Sequence, residues 1–224
     1  MTDATDTGAL TTDDLRAWLR RAAAQLTEKA PWLTELDSAI GDADHGTNMA
    51  RGMAAVIAKL DANPAATAQE LLKAVGMTLI STVGGASGSL YGTFFLEMGK
   101  AAPAEPRMDA AQLEASLRAG AAGIVARGHA AVGDKTMIDA LDPAVEAFAA
   151  ARASGHPLAD DARAAADAAA AGRDATEPLV ARKGRASYLG ERSAGHLDPG
   201  AASATILLQT LAETLAETAA KGEA

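Results

Sequence analysis

The stretch ADDARAAADAAAAGRDA, Ala159 to Ala175, decides the fold. Its low complexity invites a reading as a linker between two domains. Alanine, however, is the best helix former and the interspersed charges suit a solvated face, so the stretch is predicted as a helix. With it helical, no Pro/Ser-rich linker and no repeat of fixed period divides the chain. The 224 residues then read as one helical domain over 1–224, with residues 1–10 expected as a flexible tail.

The rest of the chain agrees with that reading. Hydrophobic residues make up 49% of it, enough to bury a sizeable core, while aromatics are only 3%, which gives strands little support. Leu15, Trp18, Leu19, Ala22 and Leu26 fall on one helical face, and Thr11 with Asp14 three residues on forms a capping-box signature before them. This first helix is expected to end near Pro31. Apolar residues of helical period continue over 47–60, 67–82, 90–101, 109–128, 135–152, 157–172, 174–183 and 199–221. Asp142-Pro143 and Asp198-Pro199 both read as an N-cap aspartate with proline in the first turn, where its missing N–H costs nothing. About eight helices joined by short loops imply an all-α antiparallel bundle.

Charge and cysteine content exclude several functions. With 20 basic and 29 acidic side chains the net charge is -9, which disfavours a nucleic-acid partner. The absence of cysteine excludes disulfides, thiolate metal sites and thiol chemistry. The start, MTDATDTGAL, lacks the basic and apolar regions of a signal peptide, and no apolar run approaches a membrane span, so a cytoplasmic location and no membrane partner are expected.

Glycine-rich polar sequence interrupts the helices at IGDADHGTN, GGASG, RGHAAVGDKTM and GRASYLGERSAGHLDPG. In the first, residues two apart on a helix do not share a face, so Asp42 and Asp44 converge only if the chain between Gly41 and Gly46 is non-helical. Two carboxylates about 4 Å apart repel by roughly 4 kcal/mol at an effective dielectric of about 20, so converging aspartates require protons or a cation. All-oxygen ligands favour magnesium, manganese or calcium over zinc, and magnesium is commonly shared between a few carboxylates and substrate phosphates. An EF-hand counted from Asp42 fails, because Thr47 falls at its sixth position and Met53 at its twelfth. No G-x-x-x-x-G-K-[ST] occurs, so a nucleotide here would depend on metal ions and backbone amides.

Taken singly, these residues have plain structural readings. Thr34-x-x-Asp37 is a possible capping box, Asp42 an ordinary turn residue, GGASG a helix-helix turn, Asp198 a cap, Arg185 a surface cation and Met137 a core residue. His129, His156 and His196 read as surface or hydrogen-bonded histidines, and neither a nucleophilic triad nor HExxH is present. The whole cluster points to function: three aspartates, then His45 and Asn48, with a helix beginning at about Thr47 whose N-terminus attracts phosphate. GGASG adds unhindered N–H groups and the Ser87 hydroxyl.

LDSAIGDADHGTNMARG, VGGASGSLYGTFF, GDKTM and ARKGRASYLGERSAGHLDPGA together resemble the nucleotide-binding L subunit family of dihydroxyacetone kinase, with the motifs in the family's order. Ser89 stands where the family usually has proline after GASG, a change that removes no donor or acceptor. The resemblance implies an eight-helix antiparallel barrel with ADP or ATP at one end. It implies that Asp37, Asp42 and Asp44 form the catalytic centre as ligands of two magnesium ions bridging the nucleotide's phosphates. It further implies nucleotide contacts from His45, Gly46, Thr47, Asn48, Ala86 and Ser87, with Gly128, Met137, Arg185, Asp198, Pro199 and Gly200 around the ribose and adenine. The implied activity is that of a glycerone kinase subunit, a phosphotransferase with an alcohol group as acceptor. It passes phosphate to dihydroxyacetone held on a separate K subunit. In the phosphotransferase-dependent form an M subunit rephosphorylates bound ADP; the alternative is an ATP-dependent kinase subunit for another small ketose or sugar acid. Outside that family, the same aspartates would serve a two-metal phosphohydrolase, and a non-catalytic helical interaction module would use the polar loops only as caps.

Overall fold

The computed structural model describes residues 8–222, and these are almost entirely helical. Nine α-helices are present among the described residues: α1 Thr12–Glu28, α2 Ala30–Ile40, α3 His45–Ala62, α4 Ala68–Thr82, α5 Gly85–Ala101, α6 Ala110–Gly128, α7 Ile138–Ala153, α8 Leu158–Ala175 and α9 Pro199–Gly222. Leaving out the short α2, each helix packs on the next around a closed ring, from α1 to α3 and on through α9 back to α1. Eight staves thus form the barrel expected from the sequence. The ninth helix, α2, packs on α3 and α9 and carries Asp37 to one end.

The core is set by a few large side chains among many small ones. Trp18, Phe94, Phe95 and Phe148 are buried, with Phe94 and Phe95 edge to face at 5.3 Å and Trp18 against Phe95 at 5.9 Å. Trp18 donates its indole N–H to the Leu207 carbonyl oxygen at 2.8 Å, fixing α1 on α9. Helix α9 is buried on every side from Ala201 to Leu208, so its hydroxyls turn back onto the backbone, as Thr205 does on the Ala201 carbonyl at 2.9 Å. The Ala159–Ala175 stretch is helical as predicted, with Ala162, Ala165, Ala166 and Ala169 on its buried face.

Several boundaries differ from the sequence reading, each for a local reason. The expectation of a tail over 1–10 does not hold at its last residues: Ala9–Thr11 is a strand, β1, paired antiparallel with β2, Arg107–Asp109, and Leu10 is buried. The rest of that tail, residues 1–7, lies outside the described residues. The Thr11–Asp14 capping box forms, but α1 stops at Glu28 and Pro31 opens α2, where its missing N–H is free of cost. GGASG is the first turn of α5, not a separate loop. Pro143 sits inside α7 and does not start it; the helix begins at Ile138, and Asp139 caps the loop before it instead of Asp142. The expected helix over 174–183 is absent. Helix α8 continues to Ala175, the following segment is irregular, and a 3₁₀ segment spans Arg185–Ser193 with a kink at Gly190. The carbonyls of that irregular segment are claimed by Lys135, which removes them from helical pairing.

Four helix N-termini meet at one end of the barrel. Those of α3, α5, α7 and α9 line a single cleft, so their partial positive charges gather there, and the first turn of α5 has no side-chain cap on its amides.

Candidate metal and phosphate site

The acidic wall of the cleft is the turn from α2 into α3. Ile40 and Gly41 end α2, Ala43 takes a left-handed conformation with φ of 62°, and His45 begins α3. A left-handed alanine is strained by roughly 1 kcal/mol or more, and here it lets Asp42 and Asp44, which flank it, turn to one side. Asp37 is buried in the last turn of α2, and its Oδ2 accepts from the N–H groups of Asp44 at 2.8 Å and His45 at 3.1 Å. Thr34 lies inside α2, so the capping-box reading of Thr34-x-x-Asp37 does not hold. One carboxylate oxygen from each of Asp37, Asp42 and Asp44 lies within 4.8 Å of the others.

This donor set suits a hard divalent cation. All three groups offer carboxylate oxygens, and among the described residues the only cation paired with any of them is Arg185, whose guanidinium lies 2.9 Å from Asp42 Oδ2 in an exposed bridge. Gly41 keeps the space open: a Cβ there would sit 2.0 Å from Asp37 Oδ1, the oxygen not used by the α3 amides.

Across the cleft, α5 begins at Gly85 after Gly84, without a side-chain cap on its first amides. Ser87 in this turn lies 3.1 Å from Nδ1 of His45, whose Nε2 lies 2.8 Å from Ser203 of α9. Burial lowers the proton affinity of His45, outweighing the opposing pull of Asp37, Asp44 and Asp42. Asp198 both lines the cleft and caps α9, its Oδ2 accepting from Ala201 N–H at 2.7 Å. Burial pushes its carboxyl up to about 7, against the backbone hydrogen bonds that favour the charged form.

Of the residues singled out in the sequence, Asp37, Asp42, Asp44, His45, Ala86, Ser87, Met137, Arg185, Asp198, Pro199 and Gly200 all line this one cleft. Gly46, Thr47, Asn48 and Gly128 stand beside it. Gly46 allows α3 to approach α2, since a Cβ would meet the Ala30 carbonyl oxygen at 2.0 Å. Asn48 is buried and accepts from Arg51, Thr47 is exposed, and a Cβ at Gly128 would lie 3.5 Å from Leu90, which does line the cleft.

Sequence reasoning missed Lys135, Lys183 and Asp139. Lys135 is buried at the cleft wall in a left-handed conformation, and its ammonium donates to the carbonyls of Thr176 at 2.8 Å, Leu179 at 3.1 Å, Glu177 at 3.3 Å and also His196. Asp139 accepts from the N–H groups of Gly133 and Thr136, shaping the loop that presents Met137. Lys183 adds a second cation beside Arg185. GDKTM and ARKGR carried these lysines in plain view, but nothing local marks a lysine as buried.

Known proteins are similar to this chain as a whole. The DAK2 domain is matched over residues 39–213. The chain is 44% identical over 195 residues, 87% of its length and 93% of the relative's, to the PEP-dependent dihydroxyacetone kinase ADP-binding subunit DhaL of Escherichia coli K12. It is 42% identical over 207 residues, 92% of this chain and all of the relative, to the PTS-dependent dihydroxyacetone kinase ADP-binding subunit DhaL of Lactococcus lactis. A crystal structure of the dihydroxyacetone kinase from C. freundii in complex with AMP-PNP and Mg2+ superposes with a TM-score of 0.67 and 26% identity. That match takes in 95% of this chain and 36% of the longer C. freundii chain. With the family matched over most of its length, and with relatives of like size at more than two-fifths identity, the chain belongs to the DAK2 domain family.

Proposed function

We propose that this chain is the nucleotide-binding, phosphoryl-transferring subunit of a dihydroxyacetone (glycerone) kinase, working with a separate dihydroxyacetone-binding K subunit. The observation that carries the reading is the convergence of the Asp37, Asp42 and Asp44 carboxylates at the mouth of a cleft walled by four helix N-termini. Carboxylates to hold cations and amides to hold phosphate oxygens are what a metal-bound nucleotide requires. Two magnesium ions are the expected complement, and when bound they neutralise and orient the phosphates for transfer.

The chain's own residues do the rest. Asp37 is fixed by the Asp44 and His45 amides, so the ligand set is held in place before any cation arrives. Ala86 and Ser87 offer amides of the uncapped α5 turn to phosphate oxygens, while Lys183 and Arg185 add positive charge along the cleft. Leu90, Met137 and Ala186 give the cleft an apolar stretch suited to a base. The acceptor hydroxyl belongs to a ketone held elsewhere, so no nucleophile of this chain takes part.

The two relatives described above are PEP- or PTS-dependent and are of this chain's size, which supports a bound ADP that an M subunit rephosphorylates in place, in the cytoplasm. The test is to denature the purified chain and identify what it releases by chromatography and mass spectrometry. Retained ADP with about two magnesium ions per chain is expected for the phosphotransferase-dependent route. An empty chain that readily exchanges added ATP would assign the ATP-dependent route, and absence of any nucleotide affinity would refute the kinase reading.

A further inference from the structure

Lys135 stands in the cleft wall and is only 1% exposed. A lysine so placed either holds a phosphate or holds the protein, and its hydrogens decide which. An ammonium has three N–H groups. Four carbonyl oxygens surround this one, those of Thr176 at 2.8 Å, Leu179 at 3.1 Å, Glu177 at 3.3 Å and also His196. No hydrogen remains for a ligand, so Lys135 holds the protein. Its backbone has φ of 62°, a left-handed conformation that glycine takes freely and other residues take at a cost of roughly 1 kcal/mol or more. What lysine adds over glycine at this position is the ammonium.

The segments tied by that ammonium carry one half of the cleft. Lys135 itself stands two residues before Met137. Thr176 Oγ1 accepts from Asp198 N–H at 3.0 Å, and the Glu177 carbonyl oxygen accepts from Gly195 N–H at 2.7 Å. The residues leading into α9 are thus fastened at Gly195, His196 and Asp198 to one short stretch of chain. Farther along that stretch, Arg182 N–H donates to the Asp134 carbonyl oxygen at 3.1 Å and Ala181 N–H to Ser193 Oγ at 2.8 Å. These bonds brace the arm that brings Ala186 to the cleft. Met137, Asp198 and Ala186 therefore share one anchor. The metal and phosphate half is held by other means: the Asp44 and His45 amides fix Asp37, and the uncapped α5 turn follows Gly84. The arm reaches that half through the exposed Arg185–Asp42 bridge, a contact of small energy.

We propose that Lys135 is the positioning residue of the nucleoside half of the cleft: it touches no phosphate, and by gathering four carbonyl oxygens it sets Met137, Asp198 and Ala186 against the base and ribose. The metal and phosphate half stands without it. This assignment rests on the nucleotide reading above. It divides the site into two separately supported parts, so removing the ammonium costs affinity for the nucleoside and spares affinity for metal-bound phosphate.

The test is calorimetric titration of ADP and, separately, of inorganic pyrophosphate into the nucleotide-free full chain with magnesium, for wild type, Lys135→Met and Thr176→Val. Lys135→Met is expected to weaken ADP by about 10- to 100-fold, the effect of misplacing contact groups. Thr176→Val, which keeps Lys135 and removes the acceptor for Asp198 N–H, is expected to weaken ADP by about 3- to 10-fold. Pyrophosphate affinity should stay within about twofold of wild type in both, as for sites without shared partners. Should Lys135→Met fail to fold, Thr176→Val carries the test alone. Equal losses for ADP and pyrophosphate would show a merely structural role and overturn the proposal, as would unchanged ADP affinity. A wild type that bound ADP but no pyrophosphate at millimolar concentration would also overturn it, because the phosphate half would not then stand by itself. A wild type that bound no ADP would remove the nucleotide reading, and this proposal with it, whereas failure confined to the variants leaves that reading intact.

Discussion

At the scale of single residues, Gly41 and Ala43 do as much for the acidic site as the aspartates. Gly41→Ala places a Cβ 2.0 Å from Asp37 Oδ1, so the carboxylate must move. We expect roughly 10- to 100-fold weaker magnesium binding with little loss of fold, the size of effect seen when support behind a metal ligand is removed, and a magnesium titration followed by calorimetry checks it. Asp37→Ala, Asp42→Ala and Asp44→Ala are each expected to abolish metal-dependent nucleotide binding in the same assay. Asp198 gives a pH prediction for the nucleotide-free chain. Burial raises its carboxyl from an ordinary 3.8 to about 7, so between these values the folded chain keeps a proton that the unfolded chain has released. Stability contributed by this group is therefore full near pH 4 and falls as pH rises through about 7. Asp198→Asn, which keeps an acceptor for the Ala201 amide, should flatten that part of the stability profile in urea melts at pH 5 and pH 8; an unchanged slope would contradict the assignment. The aspartates were legible in the sequence because their roles follow from local crowding between glycines. The buried contacts of Ser203 with His45 and Tyr91 were not, since those partners lie more than a hundred residues away in the chain.

At the scale of elements, the site exists because helices alternate in direction and bring the N-termini of α3, α5, α7 and α9 to one end. The helices themselves were readable from apolar period, and Ala159–Ala175 from alanine propensity alone. The 174–183 segment misled because its composition favours helix while its carbonyls are taken by the Lys135 ammonium from a loop about forty residues earlier. Pro143 misled because proline is tolerated inside α7, where the reading of a helix start was local and the true start is set by Asp139. Lys135 thus ties the start of α7 to the segment after α8 and to the residues before α9. Lys135→Met would remove the donor shared by four carbonyl oxygens and bury a side chain that tethers nothing, and we expect a loss of about 2–4 kcal/mol in urea unfolding. A loss below about 1 kcal/mol would mean that the loops hold together without it.

At the scale of the whole molecule, a closed ring of eight helices leaves one end free to be built from loops, and the sequence places its glycine-rich polar motifs there. Among the described residues no helix is long and apolar enough to cross a membrane. A ligand that bridges α2, α3, α5 and α9 should hold the barrel together, so magnesium with ADP should raise the melting temperature, by the equivalent of about 2.7 kcal/mol at a hundred times the dissociation constant. The central claim is that the three aspartates and the helix N-termini form one metal-dependent nucleotide site. Calorimetric titration of ADP into the nucleotide-free chain, with magnesium and with a chelator, for wild type and Asp42→Ala, tests it most directly. Saturable binding in wild type with magnesium, lost with the chelator and lost in Asp42→Ala, is the result expected. Equal ADP affinity in all of these conditions would contradict it.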